Sequence, residues 1–338
     1  IGLPVASWRG RLSSWLSADP GAPVTLHPVI SNRLLVAPAV AAALAEGQPV
    51  VALESTLISH GLPWPQNLEV ARASEAAVRE GGAVPATVAI HDGRLLVGLD
   101  EAALEALATA PAGSVRKAAR PSLAVALAGG WAATTVSATM IAAYAAGIRV
   151  FATGGIGGVH RGALGGSSPT LDISSDLEEL GRTPMAVVCA GPKAILDVPA
   201  TLEYLETRGV PVVTIGQAEL PGFYARSSGL VSPQTAPDVR AAAAIAGLHL
   251  GLGLGGVLVC VPPPEAEALP GDVARDAVER AVGEAEAAGI QGPATTPWLL
   301  GRIAAITDGA SVRANTALIV NDARVAGELA VALAAARA

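Results

Sequence analysis

The sequence predicts an α/β protein: a largely parallel or mixed sheet with helices on both faces. Short apolar, β-branched runs alternate with longer helical patterns, the rhythm of strand–helix–strand units. Hydrophobic residues make up 51% of the 338 and charged residues 15%, which suits a large core and excludes disorder. The 38 glycines and 25 prolines fall as turn punctuation with no collagen-like period.

The elements follow in order. Val50–Leu53 reads as a strand that ends at Glu54. Asn67–Glu80 reads as an amphipathic helix with Leu68, Ala71 and Val78 on one side, stopped by Gly81-Gly82. Thr87–Ile90 and Leu95–Leu99 flank Asp92-Gly93, a hairpin signal. Ala133–Ala146 reads as a helix of small residues. Arg149–Thr153, Ala186–Ala190, Val210–Ile215 and Gly256–Val261 read as buried strands. Thr201–Arg208 and Asp272–Ala288 read as helices, and Asp322–Ala336 closes the chain with another. A length of 338 allows one large domain or two small ones, at ~100–200 residues per domain. No internal repeat or linker interrupts the chain after residue 33, so residues 1–33 are expected as an N-terminal arm and 34–338 as one catalytic domain. Within the arm, Trp8–Ser17 contains two arginines and reads as a surface or leader helix, not a signal peptide.

Charge and cysteine content narrow the function. Lys+Arg 22 against Asp+Glu 29 gives a net charge of −7, and no basic run breaks that balance. A nucleic-acid groove is therefore not expected. Cys189 and Cys260 are too few for a disulfide framework and sit in apolar runs, as buried thiols do. No stretch of about 18 apolar residues reads as a membrane span. A cytoplasmic protein is expected.

The chain has two lysines, Lys117 and Lys193; every other basic residue is arginine. A primary amine can lose its proton and attack a carbonyl, whereas a guanidinium cannot. Chance survival of the two lysines is the plain alternative.

In parallel sheets, ligands bind beyond the carboxyl ends of the strands. The polar residues there are Glu54-Ser55-Thr56, the run Gly154–Arg161, Gly191-Pro192-Lys193 and Gly216-Gln217. A carboxyl at the mouth of a buried strand, such as Glu54, is partly desolvated and suits a general acid; capping a nearby helix is the alternative. His60 lies in a proline-stiffened turn, where a structural role is the more ordinary reading. The glycines at 154–158 let backbone N–H groups approach an anion, or else simply let a turn pack tightly. Asp172-Ile-Ser-Ser-Asp176 clusters hard oxygens that suit Mg²⁺ or Mn²⁺, or caps the following helix. Lys193 is surrounded by Cys189, Ala190, Ala194, Ile195 and Leu196, an apolar setting that favours a neutral amine able to form a Schiff base. A snorkelling lysine at a helix start is the alternative. Lys117, with Arg116 and Arg120, looks like an anion contact.

Four segments carry a family resemblance: residues 51–67 (VALESTLISHGLPWPQN), 151–162 (FATGGIGGVHRG), 172–177 (DISSDL) and 187–197 (VVCAGPKAILD). From about residue 34 to the end, in order, the chain resembles the pseudouridine-5′-phosphate glycosidase family, also called indigoidine-synthase-A-like. The resemblance implies a three-layer α/β/α fold, a homotrimer, and a divalent metal, typically Mn²⁺ with Mg²⁺ also compatible. It implies a C-glycosidic bond made or broken between ribose 5-phosphate and a planar aglycone. Lys193 matches the family's Schiff-base nucleophile, Glu54 its proton donor and Asp172 its metal ligand. Lys117, Val136 (through its backbone), Ser174, Ser175 and Asp176 match substrate contacts. His160 and Asn315 match positions lining the pocket.

A C–C glycosidic bond offers no leaving heteroatom to protonate, so the two-carboxylate route fails. Capture of C1′ as a lysine imine supplies an electron sink instead.

Departures from the family fall on the aglycone side. Trp131-Ala132 stands where the family has Asn-Gly, Val261-Pro262-Pro263-Pro264 where it has Asn-Pro-Ile-Pro, and Thr296-Pro297-Trp298 where it has Thr-Pro-Phe. The loop Leu164–Pro169 is longer. Trp131 and Trp298 are thus expected to contact a flat, apolar aglycone. The expectation leans to the C-glycosynthase branch of aromatic polyketide (alnumycin-type) biosynthesis. Ordinary pseudouridine-5′-phosphate glycosidase is the alternative, and an inactive sugar-phosphate binder a third reading.

Overall fold

A computed structural model describes residues 28–165, 169–290 and 295–336. Most of the expected N-terminal arm, with Trp8–Ser17, lies outside the described residues, as does the middle of the Leu164–Pro169 loop.

The strands are β1 (Leu34–Val36), β2 (Val50–Leu53), β3 (Val84–His91), β4 (Arg94–Val97), β5 (Arg116–Ala118), β6 (Trp131–Thr134), β7 (Val150–Ala152), β8 (Val159–His160), β9 (Ala186–Cys189), β10 (Leu196–Asp197), β11 (Val212–Ile215), β12 (Gln234–Ala236) and β13 (Val257–Cys260). The main sheet runs β1-β4-β3-β2-β7-β9-β13-β11-β12, with β6 attached to β3 and β5 to β6. The centre, β2-β7-β9-β13-β11, is parallel; β3 runs antiparallel to β4 and β6. A small antiparallel pair, β8 with β10, stands apart.

The helices are α1 (Pro38–Ala45), α2 (Gln66–Glu80), α3 (Glu101–Ala108), α4 (Val136–Ala145), α5 (Ser175–Leu180), α6 (Val198–Thr207), α7 (Val239–Gly251), α8 (Gly271–Ala287), α9 (Thr295–Ile306) and α10 (Ala310–Ala335). Separate apolar clusters fill the two faces of the sheet. One holds Ala52, Val88, Phe151, Val187 and Leu258 with Met140 of α4; the other holds Val51, Val150, Val188 and Val259 with Ala326 and Leu329 of α10. This alternation along β2, β7, β9 and β13 is the period-2 signature of strands covered on both sides. The fold is the expected three-layer α/β/α arrangement.

The central strands and the Asp92-Gly93 hairpin lie where the sequence predicts them; Asp92 and Gly93 both take positive φ, 43° and 76°. Two expectations need correction. The helix expected over 133–146 begins at Val136, because Trp131–Thr134 pairs with β3 and β5 as a strand. The last helix begins at Ala310, well before Asp322. It crosses α2 closely enough that a Cβ on Gly81 would stand 2.4 Å from the Arg324 carbonyl. No described helix is long and apolar enough to cross a membrane.

Candidate active site

Glu54 follows β2 and is 8% exposed. The next residue, Ser55, fixes the backbone there. Its hydroxyl donates to the Val88 carbonyl at 2.6 Å and accepts from the Thr134 N–H at 3.0 Å. Thr56 then turns back and donates to Glu54 Oε2, while Thr153, just past β7, donates to Oε1. The carboxyl is therefore held by hydroxyls of neighbouring strand ends and caps no helix.

Lys193 is placed by a ladder that continues beyond β7 and β9. Ala190 N–H bonds Gly154 O at 3.1 Å, Ile156 N–H bonds Gly191 O at 3.2 Å, and Lys193 N–H bonds Ile156 O at 3.1 Å. Gly191 makes the turn at φ +90°, a conformation that disfavours side chains. Glu54, Thr153 and Lys193 thus extend three adjacent strands at their carboxyl ends, where a parallel sheet builds its sites.

Lys117 approaches from β5, whose partner β6 lies against β3. Its pKa is lowered from the usual lysine value. The protein mass around the ammonium is the main cause and the Lys193 ammonium the second; Glu54 and Asp176 pull the other way. The side chain keeps an open surface, so the desolvation comes from its surroundings and not from enclosure. These influences identify Lys117, Lys193, Glu54 and Asp176 as one electrostatic cluster.

Asp176 and its neighbours shape the floor. Ser174 caps α5, accepting from Asp176 N–H at 3.2 Å, so the helix-cap role falls to Ser174 and not to Asp172. The Asp176 carboxylate accepts from Ser137 N–H and Gly157 N–H, both at 3.0 Å. It thereby ties the start of α4 to the glycine run. Ser175 and Ser137 hydroxyls meet at 3.2 Å. Val136 is the first residue of α4, where a backbone N–H has no intrahelical partner; its side chain is buried. A Cβ on Gly154, Gly155, Gly157 or Gly158 would stand 2.3–2.7 Å from a neighbouring side-chain atom, so these glycines serve tight packing.

His60 closes a single π-helical turn, Leu57–Gly61. Its Nδ1 lies 2.7 Å from the Ser59 hydroxyl, and its ring is also bonded to the Val115 backbone. Burial lowers its pKa first, and the Lys117 charge adds to that. The ring acts as a strut between this turn and the segment leading to Lys117, which favours the structural reading.

His160 and Asp172 meet through their backbones, His160 N–H to Asp172 O at 3.0 Å. Asp172 is exposed, and its carboxylate accepts no hydrogen bond from the described residues. No group of three or more His, Cys, Asp or Glu side chains suited to a metal forms among the described residues. One free carboxylate fits only a divalent ion that keeps most of its waters.

The aglycone-side expectations fare differently. Trp131 shares a sheet face with Lys117 but stacks on His91, ring centroids 4.1 Å apart. Trp298 packs in the cluster of Ile195, Phe223 and Leu318. Asn315 lies one turn before Ile319, which packs on Gly154. No hydrogen bond joins Asn315 or Trp298 to the lysines. Val261 is 5% exposed in the core with Leu53 and Val188, so it reads no base. A cavity of about 670 Å³ is lined by Pro192 and Ala194 with Arg161 and Arg275, and by none of Glu54, Lys117 or Lys193.

Thr153 and Ser137 are site residues that the sequence does not single out. Their only sequence signal is a hydroxyl placed just after a strand.

Residues 39–332 match the family model of indigoidine synthase A like proteins. The chain is 56% identical over 304 residues to the pseudouridine-5′-phosphate glycosidase of Paracoccus denitrificans (strain Pd 1222), covering 89% of this chain and 98% of that one. It is 54% identical over 304 residues to the protein of the same name from Herpetosiphon aurantiacus, with the same coverage. Among solved structures, the prealnumycin C-glycosynthase AlnA in complex with ribulose 5-phosphate superposes with a TM-score of 0.82 at 40% identity, covering 90% of this chain and 98% of that one. An indigoidine synthase A-like protein of Thermotoga maritima gives 0.79 at 32% identity, covering 92% and 99%. With the fold, the ordered motifs and these matches in agreement, the chain belongs to the indigoidine synthase A like family.

Proposed function

We propose that this protein cleaves the C-glycosidic bond of pseudouridine 5′-phosphate, and forms it in reverse, through an imine between Lys193 and C1′ of the sugar. The observation that carries the reading is that Glu54 and Lys193 extend the strands on either side of β7 at their carboxyl ends, with Lys117 of β5 near enough for both charges to act on it. Lys193, in its amine form, takes C1′ as the ribose ring opens, with Glu54 giving a proton to the ring oxygen. The nitrogen then gives up a proton to the Glu54 carboxylate, and its lone pair forms the imine as the base carbon departs with the bonding electrons and takes that proton from Glu54. Water releases the open-chain sugar and frees the amine. Lys117 and the Val136 N–H at the start of α4 hold the 5-phosphate, which supplies binding energy remote from the reacting carbon. Asp172 is the residue that would hold a divalent ion, whose charge would help order the bound sugar phosphate.

Borohydride reduction in the presence of ribose 5-phosphate tests the core step. One adduct is expected on Lys193, none in Lys193→Arg, and a weaker one, still on Lys193, in Asp172→Asn. An adduct on Lys117, or none in the native chain, would sink the imine. Mn²⁺ binding, followed by water proton relaxation, is expected to be lost in Asp172→Asn.

A second reading, joining ribose 5-phosphate to an aromatic polyketide, has the AlnA likeness in its favour. Identity to the glycosidases is higher, and Trp131 and Val261, which motivated that reading, are engaged with His91 and the core. Offering uracil and naphthoquinone-type acceptors with ribose 5-phosphate separates the two.

A further inference from the structure

Two threonines of unequal standing hold Glu54. Thr153 is 3% exposed and donates to Oε1. Thr56 is half-buried and donates to Oε2. Among the described residues neither hydroxyl makes another hydrogen bond. They also come from different elements: Thr56 from the turn after Glu54 itself, Thr153 from the neighbouring strand end.

A hydroxyl carries one proton. With both threonines donating, each carboxyl oxygen accepts from one hydroxyl. When Glu54 takes up a proton, the new O–H needs an acceptor, and the hydroxyl facing it must send its own proton elsewhere. Thr153 is enclosed, beside Gly154 where Ile319 packs, and has no second acceptor. Turning it would leave a buried donor unpaired. Thr56 can turn toward solvent.

We propose that Thr153 is a positioning residue that fixes the Glu54 carboxyl, so that the exchanged proton is carried on Oε2, on the Thr56 side. This rests on Glu54 being the proton donor of the proposed reaction. The proton leaves Oε2 for the substrate oxygen and returns to Oε2, while the Thr153–Oε1 hydrogen bond persists throughout.

Steady-state kinetics with pseudouridine 5′-phosphate test it. Thr153→Val keeps the shape and removes the donor. Its kcat is expected to fall about 10- to 100-fold, the loss of one hydrogen bond to a charged group, with KM unchanged. Thr153→Ser restores the donor and is expected to recover kcat to within about threefold. Thr56→Ala, where water can replace the hydroxyl, is expected to lose only about threefold. If the valine variant does not fold, Thr153→Ala against Thr153→Ser gives the same comparison. Equal losses at the two positions, or no rescue by serine, would overturn the proposal. Full activity in Glu54→Gln would instead overturn the reading of Glu54 itself, whatever the threonine variants do.

Discussion

Lys193 lies close enough to Lys117 for its charge to lower the pKa of Lys117. A like charge at the same site raises the cost of protonating Lys117, and desolvation by the surrounding protein acts in the same direction. Lys193→Met removes the nearby charge, so Lys117 is expected to titrate at higher pH. These are the chain's two lysines, so reductive ¹³C-methylation gives a simple spectrum in which the surviving side chain is followed directly. An unchanged midpoint would place the two ammonium groups too far apart to share a substrate.

Gly157→Ala is expected to loosen the floor of the site. The new Cβ would stand 2.3 Å from Ser174 Oγ and 2.8 Å from Asp176 Oδ2. Those atoms belong to the cap of α5 and to the carboxylate that binds Ser137 and Gly157. Overpacking of this kind costs ~1–3 kcal/mol. Urea unfolding is expected to show that loss together with a raised KM for the sugar phosphate. Native stability in this variant would mean that the loop yields freely.

Much of this site was legible in the sequence because its main parts follow strand ends. Glu54 stands out as a charge after four apolar residues, and Lys193 as one lysine of two. Asp92-Gly93 announced its hairpin through residues that tolerate positive φ. Long-range pairing was hidden. The strand Trp131–Thr134 was hidden because Ala132 and Ala133 carry little strand signal and run on into a helix of small residues, and only its register with β3 sets Trp131 on His91. The glycine run permitted both an anion loop and a packed turn. The choice depended on Ile319, Phe223, Ser174 and Thr201, which approach from four other segments.

Val261→Asn separates a base-reading role from a core role. The position follows β13, and its N–H bonds the Cys189 carbonyl at 2.8 Å. Its side chain packs with Leu53, Val188 and Ala323. An amide placed there without partners costs ~1–3 kcal/mol. The variant is expected to melt lower, with the relative use of uracil and aromatic acceptors unchanged. A shift toward uracil at native stability would return Val261 to the aglycone pocket.

Asp322 offers a test of stability against pH. It sits on α10, is wholly buried, and neither carboxyl oxygen has a hydrogen-bond partner. Cys189 and Cys260, paired in register on β9 and β13, lie beside it. Burial pushes its pKa well above the carboxylate range, and Cys189 adds to the shift. The Ala190 backbone N–H pulls the other way, as the smallest of the three influences. An acid with a raised pKa binds its proton more tightly in the folded state than in the unfolded one. Its contribution is therefore most favourable below the unfolded value, near 3.8, and is lost as pH rises toward the folded value. Within that window each pH unit costs up to about 1.4 kcal/mol. Asp322→Asn keeps the shape and removes the titration. It is expected to gain stability over the native protein at pH 8 and little at pH 4, as read from urea midpoints at the two values. Equal differences at both would mean that the Asp322 carboxyl is ionised in the folded protein, with a partner that holds its charge.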